Sequence, residues 1–256
     1  MTPLILGHRG SSAVTPENTL AAFSRALSDG ADGIEFDVRL SRDGVPVVIH
    51  DATLKRTALI DGCVSELTAE QLREIDVGRW QAGNRITAGT TAEQLPLLAQ
   101  VYDLFRDTDG LLYVEMKCEQ DEGPTLAAEV IRLTREFGLA DRVVVESFDL
   151  AAIAAIKLID QGIRTAALFE PRISRPLASI RRLRIVDAAR GVRADEIALH
   201  RTLAGPALID KALRAGFEIV VWTVDDPAWI ERARLLGVKA LIANDPAAML
   251  RHRAAL

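Results

Sequence analysis

The chain has 256 residues, 49% of them apolar and 26% charged, with 31 basic against 36 acidic side chains for a formal charge of −5. That balance fills a substantial core and excludes a disordered chain, and its acidic sign argues against a broad nucleic-acid-binding face. Cys63 and Cys118 are the only cysteines, too few for a disulfide framework or a thiolate metal cage.

The opening segment, Thr2-Pro3-Leu4-Ile5-Leu6-Gly7-His8, carries no basic leader. The longest apolar run, Leu150–Ile156, is far shorter than a membrane span. A cytoplasmic protein with no membrane insertion is the expectation. A first strand is predicted over 4–8, then a helical stretch ending at Gly30 leads to a second strand over 33–38. Further strands are predicted over 112–116, 143–148, 165–169, 196–200, 218–224 and 240–244. Gly138, Gly162, Gly216 and Gly237 precede four of these strands, and with Gly30 each is expected in the left-handed position that ends a helix. The strand runs lack clean alternation, as they should when both faces of a parallel sheet are buried. Eight strand–helix units favour an α/β fold of the closed (β/α)8 type, a TIM barrel, as a single domain over 1–256. An open doubly wound sheet is the alternative.

Two places break the rhythm. After strand two, Asp43-Gly44 is a hairpin signal, and the chain returns as Pro46-Val47-Val48-Ile49-His50-Asp51. A turn centred near Asp43 sets residue 50 across from about residue 36, which folds His50 back beside Glu35 and Asp37. Residues 51–94 then interrupt the barrel, with a short helix predicted over Thr68–Ile75 and a Gly/Thr-rich stretch over Gly83–Thr91. So long a segment reads as a small insertion near the barrel mouth.

Barrel active sites lie at the C-terminal ends of the strands, and the polar residues gather there. Strand one ends in His8-Arg9-Gly10, strand two carries Glu35 and Asp37, and strand three carries Glu115 with Lys117 behind it. Glu35 and Asp37, two residues apart, share one face of their strand. Three convergent carboxylates repel one another, and an all-oxygen set suits a hard divalent ion such as Mg²⁺, Ca²⁺ or Mn²⁺. The plainer alternative pairs these acids with Arg9, Arg39 and Lys117 in a structural network. His8 and His50, two of four histidines, flank the cluster and suit proton transfer near neutral pH. Arg9 and Lys117 offer fixed positive charge to phosphate oxygens. Trp222 could wall an apolar part of a substrate, although an aromatic at that level is more often core. His200 and His252 have no partner in sequence, and Arg181–Arg184 reads as an exposed helix face.

His8-Arg9-Gly10, Pro16-Glu17-Asn18-Thr19, Gly33-Ile34-Glu35-Phe36-Asp37-Val38, and Asp43-Gly44 through His50-Asp51 together resemble the signature of the glycerophosphodiester phosphodiesterase family. Leu54–Thr57, Glu115-Met116-Lys117, Ser147-Phe148 and Val221–Val224 extend the resemblance in order along nearly the whole chain. It implies a barrel with a small insertion after strand two, in the manner of compact cytosolic bacterial members. It also implies metal-dependent hydrolysis of small glycerophosphodiesters to glycerol 3-phosphate and an alcohol. By position, His8 and His50 match the family's acid/base pair, and Glu35, Asp37 and Glu115 its ligands for one divalent ion. Arg9 and Lys117 match its phosphate contacts, and Glu17 is expected to orient Arg9. Ala243-Asn244-Asp245-Pro246 departs from relatives that often carry threonine before the Asp-Pro. Two other readings stand beside this one. A lysophospholipase D-like or phospholipase C-like enzyme would need an apolar ridge at the mouth, and 51–94 offers no such run. A phosphate-ligand binding module would be expected to have lost a histidine or a carboxylate.

Overall fold

The computed structural model describes residues 2–78, 92–171 and 178–255. Eight parallel strands close on themselves: β1 (Leu4–His8), β2 (Gly33–Leu40), β4 (Leu111–Met116), β5 (Val143–Ser147), β6 (Arg164–Phe169), β7 (Glu196–His200), β8 (Glu218–Trp222) and β9 (Ala240–Ala243). β1 pairs with both β2 and β9, which completes the barrel. The remaining strand, β3 (Pro46–Val48), runs antiparallel to β2 as the return of the Asp43-Gly44 hairpin. All eight predicted barrel strands are present, with β8 ending at Trp222 rather than at residue 224.

Helices follow the barrel strands in turn: α1 (Leu20–Ser28), then α4 (Leu98–Phe105), α5 (Gly123–Glu136), α6 (Leu150–Ile159), α7 (Ala178–Gly191), α8 (Pro206–Arg214), α9 (Ala228–Leu236) and α10 (Pro246–Arg253). Among the described residues between β3 and α4 lie two short α-helices, α2 (Lys55–Ala58) and α3 (Ala69–Arg73). The helix predicted over Thr68–Ile75 is thus α3, capped by the Thr68 side chain on the Gln71 amide. The predicted stretch Gly83–Thr91 lies outside the described residues, as do the side chains of residues 181–183. None of the described helices is long and apolar enough to cross a membrane.

Packing follows from the sequence pattern. Leu6, Tyr113, Val144, Ala166, Leu168, Ala198, Val220, Ala240 and Ile242 point inward and fill the barrel. The other strand faces meet the helices, as where the tilted rings of Phe23 of α1 and Phe36 of β2 pack at 5.4 Å between centroids. Both rings are fully buried, and truncating either to alanine would cost about 3–5 kcal/mol. Val47, Ile49, Leu54, Ala58, Val64, Leu72 and Leu95 form a separate small core beside β3. Four of the five predicted glycine stops take the left-handed conformation, but Gly162 does not. There α6 ends in extended backbone at Asp160, whose Oδ1 accepts the Gly162 amide at 2.8 Å and takes over the stop.

At the N-terminal ends of the strands the barrel floor is sealed by an ion network. Glu196 is wholly buried and accepts from the Tyr113 hydroxyl at 2.7 Å, Arg164 at 2.9 Å and Lys239 at 2.6 Å. Lys239 also reaches Glu218 at 2.8 Å, and Arg164 binds the same carboxylate.

Candidate active site

At the opposite end, strand register sets four carboxylates side by side. His8 of β1 lies beside Glu35 of β2, Asp37 beside Glu115 of β4, and Glu115 beside Glu146 of β5. All four acids are buried. Ligand oxygens of Glu35, Asp37 and Glu115 lie within 4.8 Å of one another, a donor set of oxygens only that could hold a hard divalent ion.

Two cations face this group. After His8 the chain turns through Arg9 at φ 53° and Gly10 at φ 81°. A Cβ at Gly10 would lie 2.6 Å from the backbone of Ala22, so only glycine lets α1 close against the turn. The turn carries the Arg9 guanidinium back over the mouth. Its Nε lies 3.2 Å from Asp37 Oδ2, and Nη1 donates to Glu17 Oε1 at 2.8 Å. Lys117 Nζ lies 2.7 Å from Glu115 Oε1 and 3.3 Å from Asp37 Oδ1. Arg39, the third cation of the structural-network alternative, points elsewhere: it donates to the His50 carbonyl at 2.8 Å and pairs with Glu119.

The hairpin puts His50 at the same mouth. Val38 pairs with Val48, which carries residue 50 across from residue 36, and the Ile49 amide donates to the Asp37 carbonyl at 3.0 Å. His50 Nδ1 meets Asp51 Oδ1 at 2.6 Å. Asp51 is bound by Arg56, which also donates to Glu17 at 2.7 Å, so Glu17 ties both arginines to the His50 side of the cleft. His8 Nε2 lies 3.8 Å from Glu35 Oε2, and its Nδ1 meets Asn244 Oδ1 at 2.7 Å. Asn244 Nδ2 is committed to Asp225 Oδ2 at 2.7 Å, which fixes the amide with its oxygen toward His8. An amide oxygen only accepts, so His8 carries its proton on Nδ1 and presents a bare Nε2 to the cleft.

Burial and mutual repulsion govern the charges. Burial, then Asp37 and Glu115, push Glu35 well above the usual carboxylate range. Burial and Asp37 push Glu115 up to about 8 against the pull of Lys117. Burial also opposes ionisation of Asp37, but Arg9, Lys117 and His50 outweigh it and hold that carboxyl low. Asn18 adds a hydrogen bond to Asp37 Oδ2 at 2.9 Å. Burial, with Arg9 beside it, brings His8 down to about 4.

One cleft is lined by His8, Arg9, Glu35, His50, Glu115 and Lys117, and its far wall by Glu146, Phe148, Leu168, Glu170, Trp222 and Ile242. Trp222 meets Phe148 edge-on at 5.5 Å and His200 at 5.2 Å. His252 sits exposed on α10, away from the acids. Against the expectation that 51–94 offers no exposed apolar run, the segment turns one adjacent pair of large apolar side chains to solvent. Leu59, left-handed at φ 59°, turns itself and Ile60 outward, leaving them 61% and 40% exposed. Sequence reasoning missed the roles of Asn18, Asp51, Arg56, Asp225 and Glu146. Glu146 left one trace: a lone charge closing the apolar run Val143-Val144-Val145.

A parallel barrel with acids, imidazoles and fixed cations crowded at the strands' C-terminal ends defines a barrel enzyme with its cleft in the usual place. Residues 8–248 match the Glycerophosphoryl diester phosphodiesterase family, and the chain belongs to that family. Among its relatives, the glycerophosphodiester phosphodiesterase of Caldanaerobacter subterraneus subsp. tengcongensis is 31% identical over 252 residues, covering 98% of this chain and 97% of that one. The enzyme of that name from Bacillus altitudinis is 30% identical over 247 residues, with 94% of each chain covered. The crystal structure of glycerophosphodiester phosphodiesterase from Agrobacterium tumefaciens superposes with a TM-score of 0.79 at 27% identity, covering 98% of this chain and all of that one. An Oleispira antarctica phosphodiesterase, solved with its product sn-glycerol-3-phosphate, shares the fold at a TM-score of 0.84 and 22% identity, over 98% of this chain and 96% of that one. This chain is accordingly an enzyme, a phosphoric diester hydrolase acting on glycerophosphodiesters.

Proposed function

We propose that this chain, acting as a single barrel domain, cleaves small glycerophosphodiesters to glycerol 3-phosphate and an alcohol, with His8 and His50 exchanging the protons. The observation that carries this reading is the convergence of two imidazoles and three carboxylates on one cleft. One divalent ion, Mg²⁺, Ca²⁺ or Mn²⁺, held by Glu35, Asp37 and Glu115, would supply positive charge to the phosphate oxygens. Arg9 and Lys117 bind the remaining non-bridging oxygens, Glu17 keeps Arg9 aimed, and Trp222 walls the apolar side.

The partners behind the two rings divide the work. His8 is backed by a neutral amide, so its bare Nε2 takes a proton from the attacking hydroxyl. His50 is backed by the Asp51 carboxylate, which favours an imidazolium against the burial, Arg9 and Lys117 that lower its pKa, so His50 gives a proton to the departing alcohol oxygen. As the new P–O bond forms, the bond to the alcohol breaks. The cytoplasm is the compartment proposed for this activity, consistent with two free cysteines in the structure.

His8→Ala and His50→Ala each test the assignment. Turnover of glycerophosphocholine should fall by about 10²–10⁴-fold while the melting curve stays in place. Unchanged turnover in both variants would end it.

A further inference from the structure

Glu146 takes no part in the chemistry above, yet it is 1% exposed and lines the same cleft. Its Oε2 is buried without a hydrogen-bond partner. The charges acting on it most strongly are those of Glu35, Glu115, Glu196 and Asp37, all acidic. It stands one strand beyond the carboxylate triad and outside that group of converging oxygens. A buried polar atom left unanswered in the free protein is costly, and one aimed into a substrate cleft is answered most simply by the substrate.

We infer that Glu146 is a specificity-determining residue that hydrogen-bonds a hydroxyl of a short polyol arm of the diester, seated on the cleft floor beside the carboxylate triad. The inference rests on the phosphodiesterase reading and names which feature of the substrate that site selects. A hydroxyl both donates and accepts, so it can partner this carboxyl whether protonated or ionised. Around Glu146 the floor is apolar, with Leu168 and Ile242 placed to take the carbon skeleton of the arm. Below it the barrel is filled by Tyr113 and Val144, so the arm that reaches it is short.

The test compares two diesters with the metal-loaded enzyme: glycerophosphocholine, whose glycerol arm carries free hydroxyls, and bis(4-nitrophenyl) phosphate, which has none. Glu146→Leu keeps an apolar fill, and Glu146→Gln keeps a group able to bond a hydroxyl. Glu146→Leu should lower kcat/KM for glycerophosphocholine by about 10- to 100-fold and leave the nitrophenyl diester within about threefold. Glu146→Gln should recover most of that loss, with calorimetric affinity for Mg²⁺ unchanged in both variants. Equal losses on the two diesters, no loss on either, or a matching loss of Mg²⁺ affinity would each overturn the inference. A wild-type enzyme that cleaves neither diester would overturn the phosphodiesterase reading itself, and the inference with it.

Discussion

At the floor of the barrel Glu196 is as deeply buried as any acid in the chain, and Tyr113, Arg164 and Lys239 answer its oxygens at 2.6–2.9 Å. At the mouth, Glu35, Asp37 and Glu115 share Arg9 and Lys117 as the cations that face them among the described residues, and Glu146 stands beside Glu115 on the next strand. Both ends put carboxylates in low dielectric, but only the floor supplies enough partners from the chain itself. Burying a charge without a partner is expensive, so an under-neutralised cluster persists where something from outside completes it. The floor reads as structure, and the mouth as the site that the proposed cation and an anionic substrate would complete.

Exchanging the two ends in a mutational experiment gives the largest effects. Glu35→Gln should lower kcat by about 10³-fold while leaving the metal-free protein as stable as before, because burial and its acidic neighbours already favour the neutral carboxyl that glutamine mimics. Glu196→Ala should do the reverse. It strands the buried Tyr113 hydroxyl and leaves Arg164 and Lys239 with Glu218 alone, at a cost of about 3 kcal/mol, with kcat retained in the folded fraction. The readouts are steady-state kinetics and denaturant unfolding on the same preparations. A Glu35→Gln protein as destabilised as Glu196→Ala would erase the distinction between the ends. A smaller effect follows from filling the mouth: Mg²⁺ or Ca²⁺ at a hundredfold excess over its Kd should stabilise the wild type by about 2.7 kcal/mol. Glu35→Gln should lose most of that gain, and Glu196→Ala should keep it. Equal thermal shifts in both variants would place the ion elsewhere.

Much of this contrast could be read before the fold was known, and the reasons are local. The strands announced themselves as β-branched runs between helix stops, because a sheet buried on both faces leaves little choice of residue. His50 could be placed beside Asp37 because a tight turn at Asp43-Gly44 fixes hairpin register. The supports behind the histidines were harder. Asn244 meets His8 across 236 residues, and only closure of β9 onto β1 brings them together. The floor network was invisible for the same reason, since Tyr113 and Glu196 are 83 residues apart. Glu146 could be seen as a charge at a strand end, but not which way it faced, because register across β4 and β5 decides that.

The smallest expected effect has opposite signs at the two ends. At the floor, Glu218 is held below the usual carboxylate range; burial works against this, but the Lys239 hydrogen bond and charge, with Arg164, prevail. Its contribution is present above the ordinary carboxylate value and lost as pH falls through the lowered one. At the mouth of the metal-free protein, burial and Asp37 raise Glu115 to about 8, so the folded chain keeps a proton that the unfolded chain has released. Stability should therefore decline as pH rises from the ordinary carboxylate value toward about 8. A divalent ion held by these carboxylates would take the place of that proton and flatten the decline, and Glu115→Gln should shrink it. Urea unfolding in EDTA at a series of pH values measures the slope, at most about 1.4 kcal/mol per pH unit for a single group. A chelated protein whose stability holds steady or climbs across that interval would mean that the mouth is neutralised from within, as the floor is.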